Sequence, residues 1–378
     1  MRVIQLVDKL NSGGGVPSFV YDLCFALKEA GCDITLIGIL KNNSEKKAPY
    51  EELEAASIDV FELDAQSKKK AIIEYIPKLR ERIKSIAEDK PTILNMHLKL
   101  SVLMGCFASI GLRNVKCVET YHNTYLHYHL QFNALRPFIK KYITVSETSR
   151  LELINFFHAP ENKVVAVPNG VDRKKLRTMA GKPEKHDYLS IVSAGRLSYE
   201  KNFTVPVEAL SSICSPTVRY TIIGDGPDKE KVDAARHGNE NIILTGALPR
   251  SGVLKHLASA DIVIMPSLWE GRSILQMEAM AFDVPLIIAD VPGLREPFAE
   301  SELKKEEEFR ICRFGYIVRN NETHSFQLAI ESFLAEGNQI LRMRDYIKQI
   351  SQSNELYITA KNYLEVFMSV MADSGKGD

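Results

Sequence analysis

The sequence predicts an α/β protein built as two parallel-sheet domains in tandem. Three observations carry that expectation. The chain has 378 residues, which at about 150 per domain suggests two domains. Short β-branched runs alternate with amphipathic stretches from end to end, and strands that are apolar almost throughout belong to parallel sheets covered on both faces. The alternation is interrupted at Pro168-Asn169-Gly170, a turn signal followed by the charged, low-apolar stretch Arg173–Asp187, and then restarts.

The elements follow in order. Strands are expected at Val3–Val7, Ile34–Ile39, Ile58–Leu63, Thr92–Met96, Val115–Thr120, Tyr142–Val145 and Val164–Val167. Between the first two, Phe19–Ala30 reads as a helix with Phe19, Leu23, Ala26 and Leu27 on one face. The second set is Tyr188–Ala194, Tyr220–Ile223, Ile242–Leu244, Ile262–Met265, Leu286–Ala289 and Tyr316–Val318, with helices such as Val253–Ser259 and Ile274–Ala281 between strands. Asn354–Ala372 reads as one long closing helix, and Glu296–Glu308 as a solvated acidic loop. The expected domains are 1–168 and 172–352, with 353–378 forming a C-terminal helix that packs back on the first.

Composition narrows the function. Lys plus Arg and Asp plus Glu both number 48, so the surplus of positive charge that a general nucleic-acid binder needs is missing. Apolar residues at 45% and charged residues at 25% are those of an ordinary globular protein. No apolar run approaches the ~18 residues of a membrane span, and the N-terminus reaches Asp8 before a signal-peptide core could form. Six cysteines, at 24, 32, 106, 117, 214 and 312, show no C-x-x-C spacing. Together these point to the cytoplasm.

Charge is uneven along the chain. Gln66 to Arg150 holds 15 basic and 6 acidic residues. One reading is the solvated face of helices. The sharper one is a positive face for an anionic acceptor or membrane, with Leu135–Tyr142 resting on the bilayer.

Four motifs carry chemistry. Ser12-Gly13-Gly14-Gly15 lies between the first strand and the first helix, where a glycine-rich turn exposes backbone N–H groups to an anion; a plain tight turn is the other reading. It is not G-x-G-x-x-G, and the second strand lacks the ribose-binding acid, so a dinucleotide dehydrogenase loses both markers. Gly195-Arg196-Leu197 and Glu200-Lys201-Asn202 put two cations at a strand's carboxyl end, which suits a diphosphate. Ile223-Gly224-Asp225-Gly226-Pro227 is a tight turn lining the same region.

The fourth, Pro266–Ala281, carries Glu270 and Glu278 eight residues apart. Even in a continuous helix that separation rises about 12 Å, beyond the roughly 5–9.5 Å of a glycosidase carboxylate pair. Two separate contacts to one extended ligand fit better. Histidines 122, 127 and 129 match no zinc pattern. There is no D-x-D for a divalent ion on a diphosphate, so no metal is expected.

This ordered set resembles the GT-B glycosyltransferases of the large retaining group often called family 4: Gly14-Gly15-Val16, Pro168–Asp172, Gly195–Asn202, the Ile223–Pro227 turn and the E-x7-E of Glu270 and Glu278. The resemblance covers nearly the whole chain and implies two Rossmann-like domains facing across a cleft. By it, Arg196 and Lys201 neutralise the donor diphosphate, Glu278 holds the ribose hydroxyls and Glu270 contacts the transferred sugar. Gly15 offers its N–H to the phosphate, and Thr120-Tyr121-His122 is similar to a T-x-H motif whose histidine sits beside the sugar. The candidate catalytic set is therefore His122, Glu270, Arg196 and Lys201. The candidate substrate-binding set is Gly14, Gly15, Gly271, Arg272, Ser273, Ile274 and Glu278.

Three positions depart from the family pattern. Arg272 replaces the usual aromatic after Glu270-Gly271, where it could add charge at the phosphates or narrow the sugar pocket. Asp283 replaces a glycine, with an effect expected only on the turn. The final helix lacks a common tryptophan, for which Tyr357 and Tyr363 are candidate substitutes.

The implied activity is retaining, metal-independent transfer of a sugar from a nucleoside-diphosphate donor, UDP in preference to GDP, without a cofactor. The implied acceptor is a glycan or lipid-linked glycan of cell-envelope polysaccharide synthesis, reached at the inner face of the cell membrane. A nucleotide-sugar 2-epimerase and a non-catalytic nucleotide-binding subunit are the alternatives.

Overall fold

A computed structural model describes residues 1–10, 14–42, 49–122, 129–213, 215, 217–335 and 339–372. The chain divides into two compact units, Met1–Gly170 with Leu356–Asp378, and Val171–Glu355.

The first unit is a seven-stranded sheet: β1 (Arg2–Lys9), β2 (Asp33–Leu40), β3 (Asp59–Ala65), β4 (Thr92–His97), β5 (Val115–Tyr121), β6 (Ile139–Thr144) and β7 (Val164–Ala166). The order is β3-β2-β1-β4-β5-β6-β7, and every neighbouring pair is parallel. Ile4, Leu6, Leu94 and Met96 are fully buried, as covering helices on both faces require. The helix Gly15–Glu29 buries Phe19, Leu23, Ala26 and Leu27, the face its spacing marks. The closing helix Leu356–Ala372 packs on it, with the Tyr363 ring 6.4 Å from Phe19. Tyr363 is buried, whereas Tyr357 is exposed.

The second unit repeats the plan with β8 (Leu189–Ala194), β9 (Val218–Ile223), β10 (Ile242–Gly246), β11 (Ile262–Met265), β12 (Leu286–Ala289), β13 (Phe309–Cys312) and β14 (Gly315–Val318). Their order is β10-β9-β8-β11-β12-β14-β13. All pairs are parallel except the edge strand β13, which runs antiparallel to β14. Both units are thus Rossmann-like parallel sheets.

Two readings of the sequence are corrected here. Arg173–Ala180, read as part of a connecting stretch, is a helix of the second unit, capped by Asp172 (Lys175 N–H to Oδ1, 2.8 Å). It looked like a linker because only Leu176 and Ala180 of its eight residues are buried. Its Arg173 and Arg177 donate to the Asp283 carboxylate at 2.9 and 2.7 Å, so Asp283 anchors a helix as well as shaping a turn. In Leu135–Tyr142, the apolar residues Leu135, Ile139 and Tyr142 are buried in the core. Arg136 and Lys141 donate to the carbonyls of His158 (3.1 Å) and Asn162 (2.6 Å). The segment leads into β6, which is flanked by β5 and β7, and of its apolar residues Pro137 is exposed and Phe138 half-buried.

Candidate active site

In an open parallel sheet, ligands bind beyond the carboxyl ends of the strands, where the strand order reverses. In the second unit that point lies between β8 and β11. The loop Gly195–Asn202 leaves β8 and the loop Pro266–Ser273 leaves β11, so the two most specific motifs of the sequence meet at one place.

They are fastened together. The Leu268 N–H donates to the Glu200 carbonyl at 2.9 Å, and Asn320 Nδ2 donates to the Leu268 carbonyl at 3.2 Å. Lys201 Nζ makes an ion pair with Glu270 Oε1, which also accepts from Ser267 Oγ at 2.9 Å. The Glu270 side chain is 9% exposed and that of Lys201 27%. Burial on that scale costs both charges hydration, and pairing within hydrogen-bonding distance offsets it. Beneath the loop, Gly293 lies against the Glu270 and Gly271 carbonyls, where any Cβ would collide. Arg196 extends an exposed guanidinium from the carboxyl end of β8.

The I-G-D-G-P turn braces the first loop. The Gly195 N–H donates to Ile223 O (2.9 Å), Leu197 N–H to Asp225 O (3.0 Å) and Asp228 N–H to Leu197 O (2.9 Å). Gly224 has φ 152°, and a Cβ there would drive into the Gly195 carbonyl, so only glycine lets these backbones touch.

Glu278 lies on the helix Ile274–Ala281, its side chain 10% exposed, with Oε1 3.3 Å from Arg250 Nη2. Ser273 is the N-cap of that helix, but its hydroxyl makes no capping bond; Gly271 is buried and Ile274 half-buried. Arg272 is buried: Nη2 donates to Asn354 Oδ1 at 2.7 Å and lies 3.7 Å from Met277 Sδ. Burial pushes its guanidinium pKa down to about 10, against the pull of Glu296.

In the first unit the reversal lies between β1 and β4. Gly14 is the N-cap of the helix Gly15–Glu29, and both glycines are exposed. Ser12, Gly13, Cys214 and His127 lie outside the described residues, as does the side chain of His129.

His122 follows β5 and is buried. Its Nε2 lies 2.8 Å from Nδ1 of His97, at the end of β4. His97 Nε2 contacts Gln5 Oε1 (2.7 Å) and Asn95 Nδ2 (3.1 Å), and Asn95 Nδ2 also donates to Gln5 Oε1 (2.8 Å). Thr120 Oγ1 donates to Asn95 Oδ1 at 3.0 Å. Burial lowers the His122 pKa to about 3, and burial together with the neighbouring His122 lowers His97. Both rings are therefore neutral at pH 7. Among the described residues no group of three or more His, Cys, Asp or Glu is placed to hold a metal ion. No described helix is long and apolar enough to cross a membrane.

Sequence reasoning singled out His122, Glu270 and Glu278 but not their partners His97, Ser267 and Arg250. Arg250 directly follows Pro249 at the carboxyl end of β10, a position that could have drawn attention to it.

Two doubly wound sheets in tandem, the second with charged loops at its reversal point, define a class, the GT-B glycosyltransferase architecture. The comparisons agree and place each half of the chain. Residues 173–350 match the family of glycosyl transferases group 1, and residues 13–175 match glycosyltransferase family 4. The uncharacterized glycosyltransferase MJ1607 of Methanocaldococcus jannaschii is 27% identical over 171 residues, 41% of this chain and 43% of that protein. The putative teichuronic acid biosynthesis glycosyltransferase TuaC of Bacillus subtilis is 31% identical over 134 residues, 35% of this chain and 32% of that one. The chain thus spans less than half the length of either relative. Among solved structures, Anabaena Alr3699/HepE in complex with UDP superposes with a TM-score of 0.73 at 15% identity, covering 98% of this chain and all of that one.

Proposed function

We propose that this protein is a retaining, metal-independent glycosyltransferase that moves a sugar from a nucleoside-diphosphate-sugar to a glycan or lipid-linked glycan. The observation that carries the reading is the junction of the β8 and β11 loops, where the Lys201–Glu270 pair stands beside the exposed Arg196. When the bond from sugar to phosphate breaks, negative charge grows on the leaving diphosphate. Cations already held in place stabilise that charge without reorganising. Lys201, held by Glu270, supplies one such cation and the exposed Arg196 a second that closes on the diphosphate, and Glu278, oriented by Arg250, accepts hydrogen bonds from the ribose.

Retention is part of the proposal, and Glu270 is assigned no nucleophilic step in it: its Oε1 holds Lys201 and accepts from Ser267. A front-face route, in which the leaving phosphate takes the acceptor's proton, leaves these contacts intact. His122, neutral and fixed by His97, hydrogen-bonds the transferred sugar.

UDP is the favoured nucleotide because a structural neighbour is described in complex with it. The similarity to a protein named for teichuronic acid biosynthesis supports a cell-envelope acceptor. Contact with the inner face of an anionic membrane is part of the proposal. Exposed Ile72 and Ile73 follow Lys68-Lys69-Lys70 after the buried Ala71, a basic and apolar pairing suited to such a surface. Incubation with a panel of nucleotide-sugars tests the reading. Nucleotide release supports transfer, whereas an isomerised donor, or binding without turnover, overturns it.

A further inference from the structure

Trp269 is the chain's single tryptophan. It immediately precedes Glu270, yet it is 45% exposed, and Tyr199, two residues before Lys201, is 67% exposed. Their ring centroids are 6.0 Å apart with planes inclined at 58°. Among the described residues this is the one ring contact in which both partners are exposed. Large apolar rings in water carry a free-energy cost that burial would remove, so a paired exposure at a site calls for an occupant.

The loops that carry the rings are also tied together. Tyr199 opens the short turn Tyr199–Lys201, and Trp269 sits between Leu268 and Glu270. The Leu268–Glu200 backbone hydrogen bond and the Lys201–Glu270 ion pair tie the two loops together on either side of the aromatic pair. A ring pair on loops joined by a carboxylate and an ammonium offers a flat π-face next to hydrogen-bonding groups. That combination suits a sugar ring. The C–H groups on one face of a pyranose carry slight positive charge and meet the negative face of an aromatic ring, while its hydroxyls need polar partners at the edge.

The geometry points to Tyr199 and Trp269 as a stacking platform for the pyranose ring of a saccharide, next to the Glu270 contact. This rests on the glycosyltransferase reading and extends it by assigning a sugar subsite outside the E-x7-E pair. The ring belongs either to the donor sugar or to the acceptor, and the chemistry is the same for both.

Because Trp269 is the sole tryptophan, its emission reports on the platform directly. The full-length protein is titrated with UDP alone, with UDP-glucose and UDP-N-acetylglucosamine, and with free glucose, galactose and N-acetylglucosamine, with UDP binding followed separately by calorimetry. The platform predicts a saturable change in Trp269 emission in at least one saccharide-bearing arm and little change with UDP alone. A response to the nucleotide-sugars only assigns the ring to the donor, and a response to free sugars assigns it to the acceptor. Tyr199→Ala should weaken the responding saccharide about tenfold and leave the UDP affinity within about twofold. Trp269→Phe, which keeps a ring, should retain most of the calorimetric affinity for that saccharide. The inference is overturned if UDP alone produces the whole response, which would put the nucleobase on the rings, or if no saccharide alters the emission while UDP still binds. Loss of UDP binding with the free-sugar response kept would refute the donor-site reading and leave the platform standing.

Discussion

Nδ1 of His97 stands 2.8 Å from Nε2 of His122, and neither buried ring is charged at neutral pH. Two neutral imidazoles in contact share one proton between the facing nitrogens. His97 Nε2 lies 2.7 Å from Gln5 Oε1 and 3.1 Å from Asn95 Nδ2; since Asn95 Nδ2 already donates to that same Gln5 oxygen at 2.8 Å, the shorter contact is satisfied by a hydrogen on Nε2, which leaves Nδ1 as the acceptor. His122 then donates from Nε2 and keeps a lone pair on Nδ1 for a hydroxyl. His97 is thus a positioning residue, fixing the tautomer of the histidine the sequence pointed to.

The pair makes stability depend on pH. In the unfolded chain histidine titrates near 6.5, whereas burial holds His122 at about 3. Between those values the unfolded state binds protons that the native state refuses, so stability is fully present above about pH 6.5 and falls as the pH drops toward 3. Urea unfolding at pH 7, 6 and 5 should show the decline. His122→Asn should reduce its slope by up to about 1.4 kcal/mol per pH unit, and an unchanged slope would contradict the assignment. Turnover should show no inflection from His122 between pH 5 and 8.

Glu278→Ala removes the proposed acceptor of the ribose hydrogen bonds. At about 1.5–3 kcal/mol for a charged partner, nucleotide affinity should fall roughly ten- to hundredfold by calorimetry. Unchanged binding would move the nucleotide elsewhere.

Arg196→Ala and Lys201→Ala should lower turnover more than they weaken ground-state binding, because the charge they meet grows during reaction. With the countercharge supplied by these side chains, activity should survive EDTA. Loss of activity restored by magnesium or manganese would overturn the metal-independent route.

Membrane contact is checked by co-sedimentation with vesicles. Each Lys or Arg near an anionic surface contributes about 1 kcal/mol, so binding should require anionic lipid and weaken as salt rises. Lys68→Glu combined with Ile73→Ser should reduce it further. A protein that ignores anionic vesicles at low salt would have a different route to its acceptor.

Much of the fold was legible because it is written locally. Ile262–Met265 and Leu286–Ala289 are uninterrupted apolar runs, and both are strands with those bounds. Phe309–Cys312 escaped notice because β13 is a short edge strand following an acidic run, with no fully buried residue to mark it. The site was legible where its residues are contiguous, as in Gly195–Asn202. Its supporting contacts were not, because they join distant positions: Arg250 to Glu278 across 28 residues, Arg272 to Asn354 across 82 and Gln5 to His97 across 92. Arg272 shows the limit well. Its place beside Glu270 suggests a role at the phosphates or in the sugar pocket, while its contact with Asn354, 82 residues away, has no local signal in the sequence.

The most direct test of the account is proton NMR of the protein incubated with UDP-sugars, following the anomeric signals in real time. Retaining transfer predicts that UDP appears together with a transferred or released sugar that first carries the donor's own anomeric configuration. A first-formed product of opposite configuration, or a donor epimerised at C2 with its diphosphate intact, would contradict it.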